Sequence, residues 1–209
     1  MTLNTAPWPP AMPLVAILRG LQPERAADIA RVLFDAGFRA LEVPLNRPGA
    51  LEAIATLVKL APADAWIGAG TVLDTAQVDA VADTGAQLIV SPHFDPAVVA
   101  RARERRLRTV PGVFTASEAF AAWRAGADAL KIFPAEAMSH AGLTGLTTVL
   151  PKGLPLWPVG GIVPDNVAAW RKAGATGFGL GGSLFKPEMS VADIAARARA
   201  CVDAWHAGA

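Results

Sequence analysis

Short apolar runs alternate along the chain with longer segments in which apolar residues recur every three or four positions. The runs are 14–18 (LVAIL), 39–43 (RALEV), 65–69 (AWIGA), 87–90 (QLIV), 108–110 (RTV), 129–133 (ALKIF), 156–159 (LWPV) and 176–180 (TGFGL). Apolar runs of four or five residues suit strands covered on both faces, as in parallel sheets. Segments such as 24–36 and 115–125 carry the spacing of an amphipathic helix. Eight strand-like runs, each followed by a helix-like segment, predict an α/β chain whose economical solution is a closed (β/α)8 TIM barrel.

A weak internal repeat supports this layout. AGFRALEV, TGAQLIV, AGADALKI and AGATGFGL each put a glycine (Gly37, Gly85, Gly126, Gly174) at a predicted helix end, shortly before a strand. The pattern predicts a left-handed residue that closes each helix and turns the chain into the next strand. No flexible linker or shift in composition divides the chain. It reads as a single domain over 1–209 with a short proline-rich amino-terminal extension over 1–13.

Composition narrows the classes. At 209 residues with 53% hydrophobic and 18% charged residues, the chain can bury a substantial core. A formal net charge of +1 gives no reason to expect a nucleic-acid partner. The basic cluster Arg101, Arg103, Arg105, Arg106 and Arg108 reads as a solvated helix end, where cations suit the dipole. Cys201 is the single cysteine, so no internal disulfide or multi-cysteine zinc site is expected. Met1 to Met12 lacks the basic start and apolar stretch of a signal peptide. No run of about 18 apolar residues predicts a membrane span. A reducing cytoplasm is the expected setting.

In a barrel, working groups come from the carboxyl ends of strands and the loops after them. Those positions hold Arg19, Glu42, Thr71, Ser91-Pro92-His93, Pro111-Gly112, Lys131, Gly160-Gly161 and Gly181-Gly182-Ser183. Lys131 stands between Leu130 and Ile132, whereas the other four lysines fall in predicted helices or loops. Burial there disfavours the ammonium ion and leaves an amine able to attack a ketone carbon. The other reading is a structural lysine paired with an acid. Glu42, flanked by Leu41 and Val43, is such an acid. Burial would raise its pKa towards neutrality, as a group that gives and takes protons requires; a plain buried ion pair with Lys131 is the alternative. Glycine-rich turns after strands seven and eight suit a phosphate held by backbone N–H groups and a following helix terminus. Arg19 and Thr71 could hold a carboxylate at the same mouth. His93, His140 and His206 are scattered and give no metal-ligand spacing, so no metal is expected. No Gly-x-Gly-x-x-Gly follows the first strand, which argues against nicotinamide chemistry.

These residues sit in segments that together resemble the 2-keto-3-deoxy-6-phosphogluconate and 6-phosphogalactonate aldolase family. The segments are AILRG (16–20), GFRALEVPLN (37–46), IGAGTV (67–72), LIVSP (88–92), PGVFTASEA (111–119), LKIFPAE (130–136), VGGI (159–162) and GLGGSLF (179–185). The resemblance implies a cofactor-free class I aldolase, cytoplasmic and homotrimeric. Lys131 is then the Schiff-base lysine and Glu42 the general acid/base. Arg19 and Thr71 contact the keto-acid carboxylate, and Gly160, Gly161 and Ser183 cradle the phosphate, with Gly181 and Gly182 beside them. The implied partners are a phosphorylated keto-deoxy sugar acid, pyruvate and glyceraldehyde 3-phosphate. Asn46, where the gluconate enzymes typically carry arginine, and Val159, where they carry threonine, look like the galactonate branch. Gluconate or dual specificity is the alternative within the family, and a non-catalytic sugar-phosphate-binding barrel the alternative outside it. Arg47, where a small residue is usual, and Gly182-Ser183, where a Ser-Ala pair is common, depart from the family pattern, and the second bears on which atoms touch the phosphate.

Overall fold

The computed structural model describes residues 7–207, so Met1 to Ala6 of the proline-rich extension lie outside the described residues. Strands and helices alternate as the apolar pattern predicts. The strands are β1 (Leu14–Ile17), β2 (Ala40–Pro44), β3 (Trp66–Gly70), β4 (Leu88–Val90), β5 (Arg108–Val110), β6 (Gly112–Val113), β7 (Leu130–Ile132), β8 (Leu156–Pro158) and β9 (Phe178–Leu180). The helices are α1 (Ala26–Asp35), α2 (Ala50–Leu60), α3 (Thr75–Asp83), α4 (Pro96–Glu104), α5 (Ala116–Ala125), α6 (His140–Val149), α7 (Val167–Lys172) and α8 (Val191–Ala207).

All strand pairs are parallel, in two curled sheets ordered β5-β4-β3-β2-β1-β9 and β6-β7-β8. The fifth expected strand, 108–110, is β5, and the chain expected as a loop after it adds a further short strand, β6. Pro111 has no N–H to donate, so the ladder breaks between β5 and β6. Its carbonyl still accepts from Lys131 N at 2.9 Å, which keeps the chain in line across the break. At the far edge a bridge between Val159 and Gly179 joins the second sheet to the first.

Side chains alternate across each strand and so form two cores. Leu14, Leu41, Ile67, Ile89, Leu130 and Leu156 pack with the helices in the larger one. Val15, Ala40, Leu88, Val90, Val110, Ala129 and Trp157 form a smaller inner cluster closed by Trp8. Glu42 and Lys131 each lie two residues along from a member of that inner cluster, Ala40 and Ala129, and so share its face. Helix starts are fixed locally: Asp74, Asp95 and Ser139 cap α3, α4 and α6, and Thr115 with Glu118 forms a reciprocal cap on α5. Gly37, Gly85, Gly126 and Gly174 all have positive φ, as the repeat predicts.

The arginine cluster differs from the expected solvated end. Arg101 and Arg105 are half-buried and converge on Asp79 of α3, Arg105 also reaching Asp83 at 2.6 Å. Arg108 pairs with Asp128 at 2.6 Å. These guanidinium groups tie α4 to its neighbours because α3 presents carboxylates at the height of the α4 carboxyl end. The sequence of α4 alone does not show that. Among the described residues, no helix is long and apolar enough to cross a membrane.

Candidate active site

Lys131 and Glu42 are both buried, at 6% and 1% exposure, on strands from opposite sheets. They feel one another's charge, yet they form no ion pair within 4 Å among the described residues. The simple buried ion pair is therefore not what the fold builds. Burial dominates at Glu42 and pushes its pKa up to about 7, against the opposing pull of the Lys131 and Arg19 charges. One carboxyl oxygen, Oε2, is buried without a hydrogen-bond partner. At Lys131 burial again dominates and lowers the pKa; Arg19 lowers it further, while Glu42 acts in the opposite direction. A shielded amine that gives up its proton readily faces a shielded acid poised near neutrality. Such a pair can form and hydrolyse an imine.

Local sequence makes room for the pair. Gly70 closes β3 beside Glu42, and a Cβ there would stand 2.1 Å from Oε2. Only glycine leaves that carboxyl its place. Thr71 follows with φ of 56°, a left-handed backbone uncommon outside glycine, at the end of β3. Ser91 is buried and donates to the His93 carbonyl at 2.8 Å, while His93 itself is exposed.

A cavity of about 480 Å³ opens at the carboxyl ends of β8, β9 and β1. Among its lining residues are Arg19, Val159, Gly160, Gly161, Gly181, Gly182 and Ser183, so seven residues singled out from the sequence meet there. Lys131, Glu42, Asn46 and Thr71 lie outside that lining. Two of them connect to it: Lys131 Nζ sits 4.6 Å from the centre of the Phe133 ring, which lines the cavity, and Arg19 donates to Asn46 Oδ1 at 2.9 Å. Phe133 and Lys186 also line the cavity and were not among the sequence candidates. Phe133 lies inside LKIFPAE and Lys186 directly after GLGGSLF. An aromatic two residues past the lysine, and a cation three residues past Ser183, were the available signals.

The glycine turns are open backbone. Gly160 has φ of +106° and Gly161 of +67°, and a Cβ on Gly160 would meet the Glu136 carboxylate at 2.3 Å. The helix terminus expected behind each turn is set back from it. After Gly161 the chain makes a 3-10 turn over Pro164–Asn166 before the six-residue α7. After Ser183 a single turn, with Leu184 N and Phe185 N on the Gly181 carbonyl (2.8 and 2.9 Å), precedes α8, which starts only at Val191. An anion here would meet glycine backbone with Arg19 and Lys186, not a helix dipole. Ser183 Oγ is buried without a hydrogen-bond partner. Among the described residues no three His, Cys, Asp or Glu side chains gather where they could hold a metal ion.

Comparison with known proteins gives a consistent set. Residues 10–199 match the family model for KDPG and KHG aldolase. A Rhizobium meliloti (strain 1021) protein named as a probable 2-dehydro-3-deoxy-6-phosphogalactonate aldolase is 48% identical, over 98% of this chain and 97% of its own. The 2-dehydro-3-deoxy-6-phosphogalactonate aldolase of Escherichia coli (strain K12) is 44% identical, over 95% and 97%. A solved structure described as native KDPGal superposes with a TM-score of 0.94 at 43% identity, covering 96% of this chain and 98% of that one.

Proposed function

The chain belongs to the KDPG and KHG aldolase family, and from that premise we propose that it cleaves 2-dehydro-3-deoxy-6-phosphogalactonate to pyruvate and D-glyceraldehyde 3-phosphate. Lys131 is the imine-forming amine and Glu42 the proton carrier. The observation that carries this reading is the buried Lys131–Glu42 pair, held apart, with one carboxyl oxygen unpartnered and the acid at a pKa of about 7.

The neutral Lys131 amine adds to the C2 ketone. Protonated Glu42 then supplies the proton with which the carbinolamine hydroxyl leaves as water, giving the protonated imine. Ionised Glu42 takes the proton of the C4 hydroxyl, the C3–C4 bond breaks, and its electrons pass into the imine as an enamine. Glyceraldehyde 3-phosphate leaves. Protonation at C3 and hydrolysis of the imine release pyruvate and restore the amine. Arg19 and Thr71 hold the carboxylate end. Gly160, Gly161, Gly181, Gly182 and Ser183, with Lys186, hold the phosphate. No metal or organic cofactor enters these steps.

Asn46 and Val159, together with the names carried by the two relatives, favour the galactonate epimer. A neutral amide bonded to Arg19, in place of a second guanidinium, offers both donor and acceptor to a sugar hydroxyl. We also read the two sheets as one closed (β/α)8 barrel, a single domain over 1–209, acting as a cytoplasmic homotrimer. The Val159–Gly179 bridge and the Pro111 link support closure.

Borohydride reduction in the presence of pyruvate, followed by mass spectrometry of peptides, tests the lysine: the expected adduct is on Lys131. Turnover of both epimeric substrates tests the branch. Equal rates would move the chain to dual specificity, and a missing adduct with no turnover would leave a sugar-phosphate-binding barrel.

A further inference from the structure

The exit of α4 departs from a pattern that four other helices share. At Gly37, Gly85, Gly126 and Gly174 a positive-φ residue follows a helix, and its N–H bonds a carbonyl three residues back at 2.9–3.0 Å. Arg106 makes the same bond, to Arg103 O at 2.9 Å, with φ of 60°. Four exits use glycine and the fifth uses a long cation in a backbone conformation that side chains seldom adopt. Strain of this kind persists where the side chain has a use.

Arg106 faces a second cavity, of about 330 Å³, lined by Arg103, Arg106, Arg108, Gln87, Trp66 and Asp128 among others. Trp66 and Arg108 open β3 and β5, and Gln87 and Asp128 lie just before β4 and β7. The cavity is therefore at the amino-terminal end of the strands, away from the mouth that holds Arg19 and the glycine turns. Its single carboxylate is committed. Asp128 takes Arg108 on one oxygen at 2.6 Å and the Thr109 N–H on the other at 2.8 Å. Arg108 also lies over the Trp8 and Trp66 rings, at 5.9 and 5.6 Å. Arg103 spends one N–H on the Gly126 carbonyl at 3.0 Å. Its remaining donors, and those of Arg106, meet no carboxylate among the described residues. Trp66 is 4% exposed, and its indole N–H is buried without an acceptor.

We propose that this cavity binds a small oxyanion, a phosphate or carboxylate group of a soluble molecule, gripped by Arg103 and Arg106 against Trp66. Guanidinium forks match the two oxygens of either group. The aromatic floor of Trp66 and Trp8, whose ring centres are 5.3 Å apart, lowers the local dielectric and strengthens those contacts. The site is separate from the aldolase mouth and does not depend on the reaction assigned there.

Isothermal titration of the intact protein with inorganic pyrophosphate, and separately with citrate, tests this. An Arg19→Ala/Lys186→Ala protein removes the mouth as a competing anion site. Binding should persist there and weaken about tenfold or more on adding Arg106→Gly or Arg103→Gln, as loss of a charge-assisted contact requires. Arg106→Gly suits the positive φ, so it should fold at least as well as the parent, and lost binding cannot be laid to unfolding. Preference for pyrophosphate would identify phosphate as the ligand group, and preference for citrate carboxylate. Absence of binding in the mouth-deleted protein, or binding indifferent to both arginine changes, would overturn the proposal.

Discussion

Replacing Glu42 by glutamine should stabilise the protein above neutral pH and leave it unchanged in acid. Glutamine mimics the protonated acid, which is the form the fold prefers. Burial moves the Glu42 pKa from 4.5 to about 7. At about 1.36 kcal/mol per pH unit, holding the ionised form in the fold costs about 3 kcal/mol. The sign follows from proton counting: between 4.5 and 7 the folded state binds the proton and the unfolded state does not. Stability from this group is thus fully present below 4.5 and is lost as pH rises to 7. Lys131 has the opposite sign, since burial lowers its pKa from 10.5, so its contribution grows as pH rises towards 10.5. Lys131 is common to parent and variant, so the difference between them from about pH 4 to 8 reads Glu42.

Thermal unfolding at fixed protomer concentration, parent and Glu42→Gln side by side, reads the difference. For a chain of this length about 3 kcal/mol corresponds to about 6–12 °C. The two curves should coincide near pH 4, separate between 4.5 and 7 with the variant higher, and run parallel to pH 8. Parallel curves throughout would refute the claim that Glu42 is buried at the cost of its charge. A variant less stable at pH 8 would do the same and would point to a stabilising Glu42–Lys131 ion pair.

Other changes probe the rest of the site. Gly70→Ala forces the Glu42 carboxyl aside and should cut kcat by about 100-fold, the effect of misplacing a reacting group; in a Glu42→Gln background it should add little, and additive losses in this cycle would sever Gly70 from Glu42. Lys186→Ala should raise KM for the phosphorylated substrate about tenfold with kcat nearly intact, because an anchoring contact is lost equally from ground and transition states. A fall in kcat alone would remove Lys186 from substrate binding. Asn46→Arg should shift the ratio of kcat/KM for the two epimers towards the gluconate form; an unchanged ratio would mean that specificity lies elsewhere.

Much of this site was legible because a charge in an apolar run is a local anomaly. Lys131 between Leu130 and Ile132, and Glu42 between Leu41 and Val43, announce themselves without any knowledge of the fold. The strand positions were legible for the same reason, each run keeping its place to within a residue or two. What escaped depends on contacts between distant segments. Lys186 matters because the turn after Ser183 brings it to the same cavity as Arg19, about 170 residues away in sequence. The missing helix behind Ser183 was hidden because the pattern shows that α8 exists and not where it begins. The arginines over 101–108 looked solvated because the partners of Arg101 and Arg105 belong to α3 and that of Arg108 to the segment before β7.

Arg19 links the two halves of the mouth. It lines the anion cavity, holds Asn46, and its charge lowers the pKa of both Glu42 and Lys131. In the empty site it therefore favours a neutral lysine, the form that attacks, while pulling the acid towards ionisation. A keto-acid carboxylate seated on Arg19 cancels much of that charge. Glu42 then holds its proton more firmly, as dehydration of the carbinolamine requires. The same carboxylate removes the help Arg19 gives to the neutral amine, so at the moment of attack it is burial, the larger cause at Lys131, that must favour the unprotonated form.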